Sequence, residues 1–248
     1  MDNKNVKKTA ILYAFPLEGN AILKNFRKPV EHSKGIHTYK NFLIYQTGVG
    51  KEKTTSTMKK LFDFYPVIAV LGLGTAGALT EELKIGDIII ADKIIEDKNE
   101  KVEELEIKSA FIPELALLLK EKGFVAKIGT LLTVKKALFD KDSKEAANKK
   151  YNAIACDMES SICAEYSALN GIPYYNIRVI SDNMIQKIPV DFPSYFTEND
   201  KIKIFKLFLK AIINPCEAYR IVKTFNGFKK ALHILTLVCG HILKKFVK

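Results

Sequence analysis

A chain of 248 residues with 48% hydrophobic residues can bury one sizeable core, which excludes a disordered chain. Its four cysteines form no CxxC pair and its four histidines no metal-ligand spacing, so neither a disulfide framework nor a metal site is expected; with no secretory leader in view, the cysteines read as reduced thiols of a cytoplasmic protein. The net charge of +11 suggests nucleic acid only until it is located: residues 201–248 hold ten lysines, Arg220 and a single acid, Glu217, so +10 of it lies in a tail.

In chain order, residues 9–15 form a compact apolar run, predicting a strand, and Pro16-Leu17-Glu18-Gly19 turns it into a helix carrying Ile22, Leu23 and Phe26. Residues 36–47 predict a hairpin around Lys40-Asn41. Gly48-Val49-Gly50-Lys51 then opens a helix, but without the upstream glycine of a nucleotide-binding loop it is a weak phosphate signal. Residues 66–72 predict a buried strand. The Gly74-Thr75-Ala76-Gly77 stretch after it predicts a turn whose glycines supply positive φ and close approach to a ligand, and residues 83–92 predict another strand. Residues 110–121 and 143–149 read as helices and 124–134 as a strand.

Residues 158–169 carry Met158, Ile162, Cys163 and Tyr166 at helical spacing behind Asp157 and Glu159. After Gly171 and Pro173, a strand over 173–180 ends in Ser181-Asp182, and in an open α/β sheet the carboxyl ends of strands are where ligands bind. Taken singly, each acid is also explained as a helix-start or turn residue.

Three motifs together change that reading. Asp157-Met158-Glu159-Ser160 followed by a helix, a strand and Ser181-Asp182, and Gly74-Thr75-Ala76-Gly77 about nine residues before Gly86-Asp87-Ile88, resemble the purine nucleoside phosphorylase and nucleosidase superfamily, most closely its 5′-methylthioadenosine/S-adenosylhomocysteine nucleosidase branch. The resemblance covers roughly residues 9–183. It implies a three-layer α/β fold with a central mixed twisted sheet flanked by helices, no cofactor, and a homodimer or higher homo-oligomer. It also implies cleavage of an adenine nucleoside at its N-glycosidic bond. Asp182 is then the acid that neutralises the leaving purine in an apolar site that raises its pKa, and Glu18, four residues after Ala14, is the base for water. Glu159 and Met158 hold the ribose, while Phe139, Ser181, Thr75 and Gly77 surround the base, with Phe139 equally readable as core filler.

Phosphorylases of this superfamily clamp phosphate with arginines. This chain has only Arg27, Arg178 and Arg220, none at a glycine-rich turn, so hydrolysis is favoured, while Lys51 as an anion contact keeps phosphorolysis open as the alternative. A scaffold that binds a nucleoside without cleaving it would be expected to lack one of the carboxylates, and all three are present.

Residues 1–195 are therefore read as the catalytic domain and 196–248 as a basic helical extension, with helices over 202–213, 217–225 and 228–247. The last is amphipathic, with Phe228, Leu232, Leu235, Cys239, Ile242 and Leu243 on one side. That stripe suits either an anionic membrane surface through residues 226–248 or docking on the protein's own body. Nucleic acid is disfavoured by the near absence of arginine. The tail's length and Lys187-Ile188-Pro189 are similar to hopanoid-associated nucleoside phosphorylases, which makes a lipid-linked, adenosylhopane-type adenine nucleoside the leading substrate reading and a small thioether nucleoside the alternative.

Overall fold

The computed structural model describes residues 6–98, 101–107, 109, 111–188 and 213–246. The elements run β1 (Lys8–Tyr13), α1 (Pro16–Leu23), β2 (Val30–Ser33), β3 (Ile36–Tyr39), β4 (Phe42–Gln46), α2 (Lys51–Phe64), β5 (Val67–Ala78), β6 (Ile88–Lys98), β7 (Lys101–Glu106), α3 (Phe111–Glu121), β8 (Ala126–Thr133), α4 (Lys141–Tyr151), β9 (Ala155–Asp157), α5 (Ser160–Leu169), β10 (Tyr174–Asp182) and α6 (Pro215–Phe246). The strands pair in the order β10-β6-β8-β9-β5-β1-β4-β3-β2, with β7 on β6. Because β10 also pairs with β5, the strands β5, β10, β6, β8 and β9 close a ring. Pairing is mixed: β5–β10 and β6–β8 are parallel, β10–β6 and β5–β9 antiparallel.

Strand periodicity places the cores. Along β1, Ile11 and Tyr13 face a core with Ile22 of α1, Leu115 of α3 and Leu235 of α6. Ala10 and Leu12 face a second core with Met58 of α2 and Ile162 of α5. Alternation of period two thus puts one buried strand between two helical layers, which is the mixed, helix-flanked sheet expected from the sequence. The hairpin around Lys40 is also present, with Ile36–Tyr39 antiparallel to Phe42–Gln46 and Lys40 at φ 52°.

Two local readings are corrected. The Gly74–Gly77 stretch is strand, not turn: β5 runs through it, pairing Gly74 with Arg178 and Gly77 with Asp182 of β10. Neither glycine has positive φ. Their value lies in the missing side chain, since a Cβ on Gly74 would sit 2.9 Å from Glu18 Oε1 and one on Gly77 would sit 3.0 Å from Asp182 Oδ2.

The second correction concerns the tail. The helices expected over 217–225 and 228–247 are one helix of 32 residues, capped at its start by Asn214, whose Oδ1 accepts the Glu217 N–H at 3.1 Å. Asn226-Gly227 does not break it. Gly227 instead lets the helix approach the sheet, because a Cβ there would lie 2.7 Å from the Ser181 carbonyl oxygen. The apolar stripe docks on the body: Ala231, Leu235, Val238, Cys239, Ile242 and Leu243 are buried in the core shared with β1, α1 and α3. A membrane-seeking role for that stripe is corrected accordingly, since the surface it needs is already covered; no helix among the described residues is long and apolar enough to cross a membrane. The helix expected over 202–213 falls, all but its last residue, outside the described residues.

Candidate functional site

Parallel β1 ends beside the middle of β5, which runs on to Ala78, and the loop after β1 returns as α1, so the first helical turn brings its third residue against the continuing part of β5. That residue is Glu18. Its Oε2 accepts the backbone N–H of Ala14 at 3.2 Å and of Phe15 at 3.0 Å, while Oε1 accepts the N–H of Thr75 at 2.7 Å and its hydroxyl at 2.8 Å. All four donors are neutral. Three are rigid backbone amides; only the Thr75 hydroxyl can turn aside for an incoming water.

Glu159 stands at the start of α5, 8% exposed, with Oε1 accepting the Gly50 N–H at 2.7 Å. Burial first, and the charge of Asp157 second, push its carboxyl up to about 8. Asp157 is anchored beneath it by Arg178, whose Nε and Nη2 each lie 2.9 Å from Asp157 Oδ2. Ser160 Oγ joins Asp157, Arg178 and Asn176 into one buried network. Breaking such a pair on one side costs about 3–5 kcal/mol, so the network ties the end of β9 and the start of α5 to the middle of β10 beneath the site.

These residues surround a cavity of about 330 Å³, within the range of small-ligand sites. Of the residues singled out in the sequence, Glu18, Glu159, Met158, Thr75, Gly77 and Ser181 line it. Asp182 sits directly behind this wall: its carboxylate touches Gly77, its neighbour Ser181 has Oγ 2.8 Å from Asp182 Oδ1, and both Gly77 and Ser181 line the cavity. The apolar site expected around Asp182 is not what surrounds it. Lys144 of α4, fully buried, donates to Asp182 Oδ2 at 2.5 Å and to the Asn183 carbonyl at 2.9 Å.

Phe139 is not brought to the cavity wall. It lies half-buried on the β8–α4 loop, where its carbonyl accepts the Ile188 N–H at 2.8 Å, and Ala137 of the same loop lines the cavity instead. The aromatic rings that do line it are Phe15 and Phe228, edge to face at 5.9 Å. Phe228 comes from α6, so the tail contributes to the site. Its sequence signal was its place on the amphipathic stripe; Lys144, one of many lysines, carried no comparable signal.

The phosphorylase superfamily family model matches residues 8–214. A 5′-methylthioadenosine/S-adenosylhomocysteine nucleosidase from Shewanella denitrificans is 28% identical over 181 residues, covering 67% of this chain and 79% of the relative. Among solved structures, the Helicobacter pylori 5′-methylthioadenosine/S-adenosylhomocysteine nucleosidase, complexed with a pyrrolopyrimidinyl pyrrolidinol, is similar with a TM-score of 0.73 at 21% identity, covering 97% of this chain and 99% of its own. The native futalosine hydrolase of Helicobacter pylori is similar with a TM-score of 0.74 at 20% identity, covering 97% and 98%. The two structural likenesses extend over nearly the whole chain and concern the fold.

Proposed function

The chain belongs to the phosphorylase superfamily as an enzyme of the nucleosidase type, and on that premise we propose that it hydrolyses the N-glycosidic bond of an adenine nucleoside with a small apolar 5′ substituent, releasing adenine. One observation carries this reading: Glu18, Glu159 and the Ser181–Asp182 corner converge on one cavity whose wall, among the described residues, includes no lysine or arginine.

The chemistry follows from charge. Breaking the bond leaves a sugar with oxocarbenium character and an electron-rich purine, and each needs a partner. Glu159 accepts from the ribose hydroxyls, with Met158 against the sugar. Glu18 takes a proton from water as it attacks the anomeric carbon, and its amide cradle fixes the carboxylate in place. Asp182 meets the leaving purine.

Phosphorolysis is disfavoured because the cations nearby are occupied. Lys51 is 2.8 Å from Glu96 and Arg178 is tied to Asp157, while Arg27 and Arg220 are exposed outside the cavity lining. An anion arriving at the sugar would find carboxylates instead of a clamp. Phe15, Phe228 and Val49 give the cavity an apolar portion suited to a thioether, which agrees with the methylthioadenosine-type activity of the relatives. The lipid-linked alternative drew on a free apolar stripe in the tail, and that stripe is buried. The proposal includes the homo-oligomer implied by the resemblance, which light scattering would read.

The test is adenine release from methylthioadenosine, S-adenosylhomocysteine and a long-chain 5′-alkyl adenosine, each with and without phosphate. Release from the two small thioethers without phosphate is the expected result. Phosphate dependence would overturn the role of Glu18, and release from the long-chain compound alone would overturn the substrate assignment.

A further inference from the structure

An acid that must give a proton to a leaving purine is here paired with a buried cation. Lys144 is fully buried, although lysine is almost never so unless paired, and its ammonium meets Asp182 Oδ2 at 2.5 Å and the Asn183 carbonyl at 2.9 Å. The other carboxylate oxygen, Oδ1, is 2.8 Å from Ser181 Oγ. The geometry is built, not incidental. Asp140 caps α4 by accepting the Ser143 N–H at 2.8 Å, which fixes the first turn, and Lys144 lies in that turn. Gly77 leaves the room in which the carboxylate sits.

A carboxylate that accepts from an ammonium cannot itself donate to the purine. The nearest proton is on Lys144. We infer that Lys144 is a positioning residue acting through Asp182: its ammonium holds the carboxylate behind the cavity wall in the free enzyme and supplies the proton that Asp182 passes to the substrate. This rests on the nucleosidase reading above.

The step balances. The C1′–N9 bond breaks and its electron pair stays with the purine, Asp182 gives a proton to the purine imidazole nitrogen, and Lys144 gives one to Asp182 and becomes a neutral amine. Water adds to C1′ as hydroxide, its proton going to Glu18. After product release Glu18 returns that proton to solvent and Lys144 takes one up. Lysine suits this relay better than arginine, because a buried ammonium gives up its proton where a guanidinium does not.

The other titratable groups around the pair are Cys156 and Asp157 of β9, Asp140 with Lys187 beside it, and Glu18 and Glu159 across the cavity. Burial first, and the Asp182 charge second, push the Cys156 thiol up to about 12, so it stays neutral. Asp157 is tied to Arg178. Glu159 acts in the bound complex as a carboxylate and so bears on the acid limb of the rate profile, not the alkaline one.

The experiment is kcat for adenine release against pH, with saturating methylthioadenosine, for wild type, Lys144→Met and Lys144→Arg, since kcat reports the bound complex. For a coupled pair the alkaline limb belongs to the pair and not to either group. In Lys144→Met the proton has only the carboxyl to reside on. Its alkaline limb is expected at least one pH unit lower, giving a deficit of about tenfold or more at pH 8.5 that shrinks below pH 6. Lys144→Arg keeps the charge and the fold, read by thermal melting, and is expected to lose about tenfold or more at every pH. An Arg variant with wild-type kcat, or a Met variant with an unmoved alkaline limb, overturns the inference while the nucleosidase reading stands. A wild-type enzyme that releases no adenine overturns both.

Discussion

The two ends of the cavity hold their carboxylates in opposite ways. Glu18 is held by three backbone amides and one hydroxyl, all neutral. Asp182 is held by a buried ammonium and one hydroxyl. A group that must accept a proton benefits from donors that orient it without offering a mobile proton of their own. A group that must give one benefits from a cation that can replace it. Under the proposed function, the neutral cradle suits the base and the buried ammonium suits the acid, the two roles that the resemblance implies for Glu18 and Asp182.

The largest effect is expected from breaking the neutral cradle. Glu18→Gln removes the base and turns an amide toward the Thr75 or Phe15 N–H, donor against donor. Hydrolysis should fall about 10³-fold or more, with nucleoside binding largely kept, read by steady-state kinetics beside calorimetry. Unchanged hydrolysis removes Glu18 from the base role.

Asp182→Asn should lower kcat about a hundredfold or more. It also leaves Lys144 buried without its counter-charge, so a stability loss of about 3–5 kcal/mol should accompany it, read by denaturant unfolding. The double variant Asp182→Asn with Lys144→Met sharpens the comparison: stability should return while turnover does not. Turnover close to wild type in the single variant would break the assignment.

A milder perturbation at the same end is Gly77→Ala. The new Cβ would stand 3.0 Å from Asp182 Oδ2 and 3.5 Å from Cys156 Sγ, so the carboxylate must shift by a few tenths of an ångström. Misplacement by 1 Å costs about 10²-fold, so a loss of about tenfold in kcat is expected. Gly74→Ala presses on Glu18 Oε1 from 2.9 Å and should do the same at the base end.

What the sequence disclosed and what it withheld divide along physical lines. Glu18, Glu159 and Ser181 were marked by strand-to-helix and strand-end junctions together with the motif resemblance, and the structure brings them to one cavity with Asp182 behind its wall. The layered sheet was legible from alternating strand and helix periods. The Gly74–Gly77 strand was misread as a turn because glycine signals conformational freedom locally, whereas these positions are selected by what packs against them: carboxylates from α1 and β10. The same error split α6 at Gly227, whose contact is the Ser181 carbonyl. Lys144 was invisible for a related reason. Its partner lies 38 residues away, and only the closure of the sheet, with β9 between β8 and β5 and β10 beside β5, brings α4 over the end of β10. Phe139 was chosen by resemblance to a position, and its loop presents Ala137 to the cavity instead.

Glu159, on the same cavity, gives the smallest and most pH-dependent effect. Burial, with the nearby Asp157 charge, raises its carboxyl to about 8. The sign follows from which form each state prefers. In the free enzyme Glu159 is protonated below about pH 8, whereas the unfolded chain ionises near 4.5, so this group makes the native state progressively less stable as pH rises from about 4.5 to about 8. Binding runs the other way, because the ribose hydroxyls donate to the ionised carboxylate. The ionised fraction of the free enzyme grows nearly tenfold per pH unit below 8, so KM should fall several-fold between about pH 6.5 and 7.5 and level off above about 8, with proton release on binding. Calorimetry in two buffers of different ionisation enthalpy reads that proton directly. Glu159→Gln should abolish both the slope and the release while leaving Glu18 and Asp182 in place; a slope that survives the substitution would assign the titration to another group.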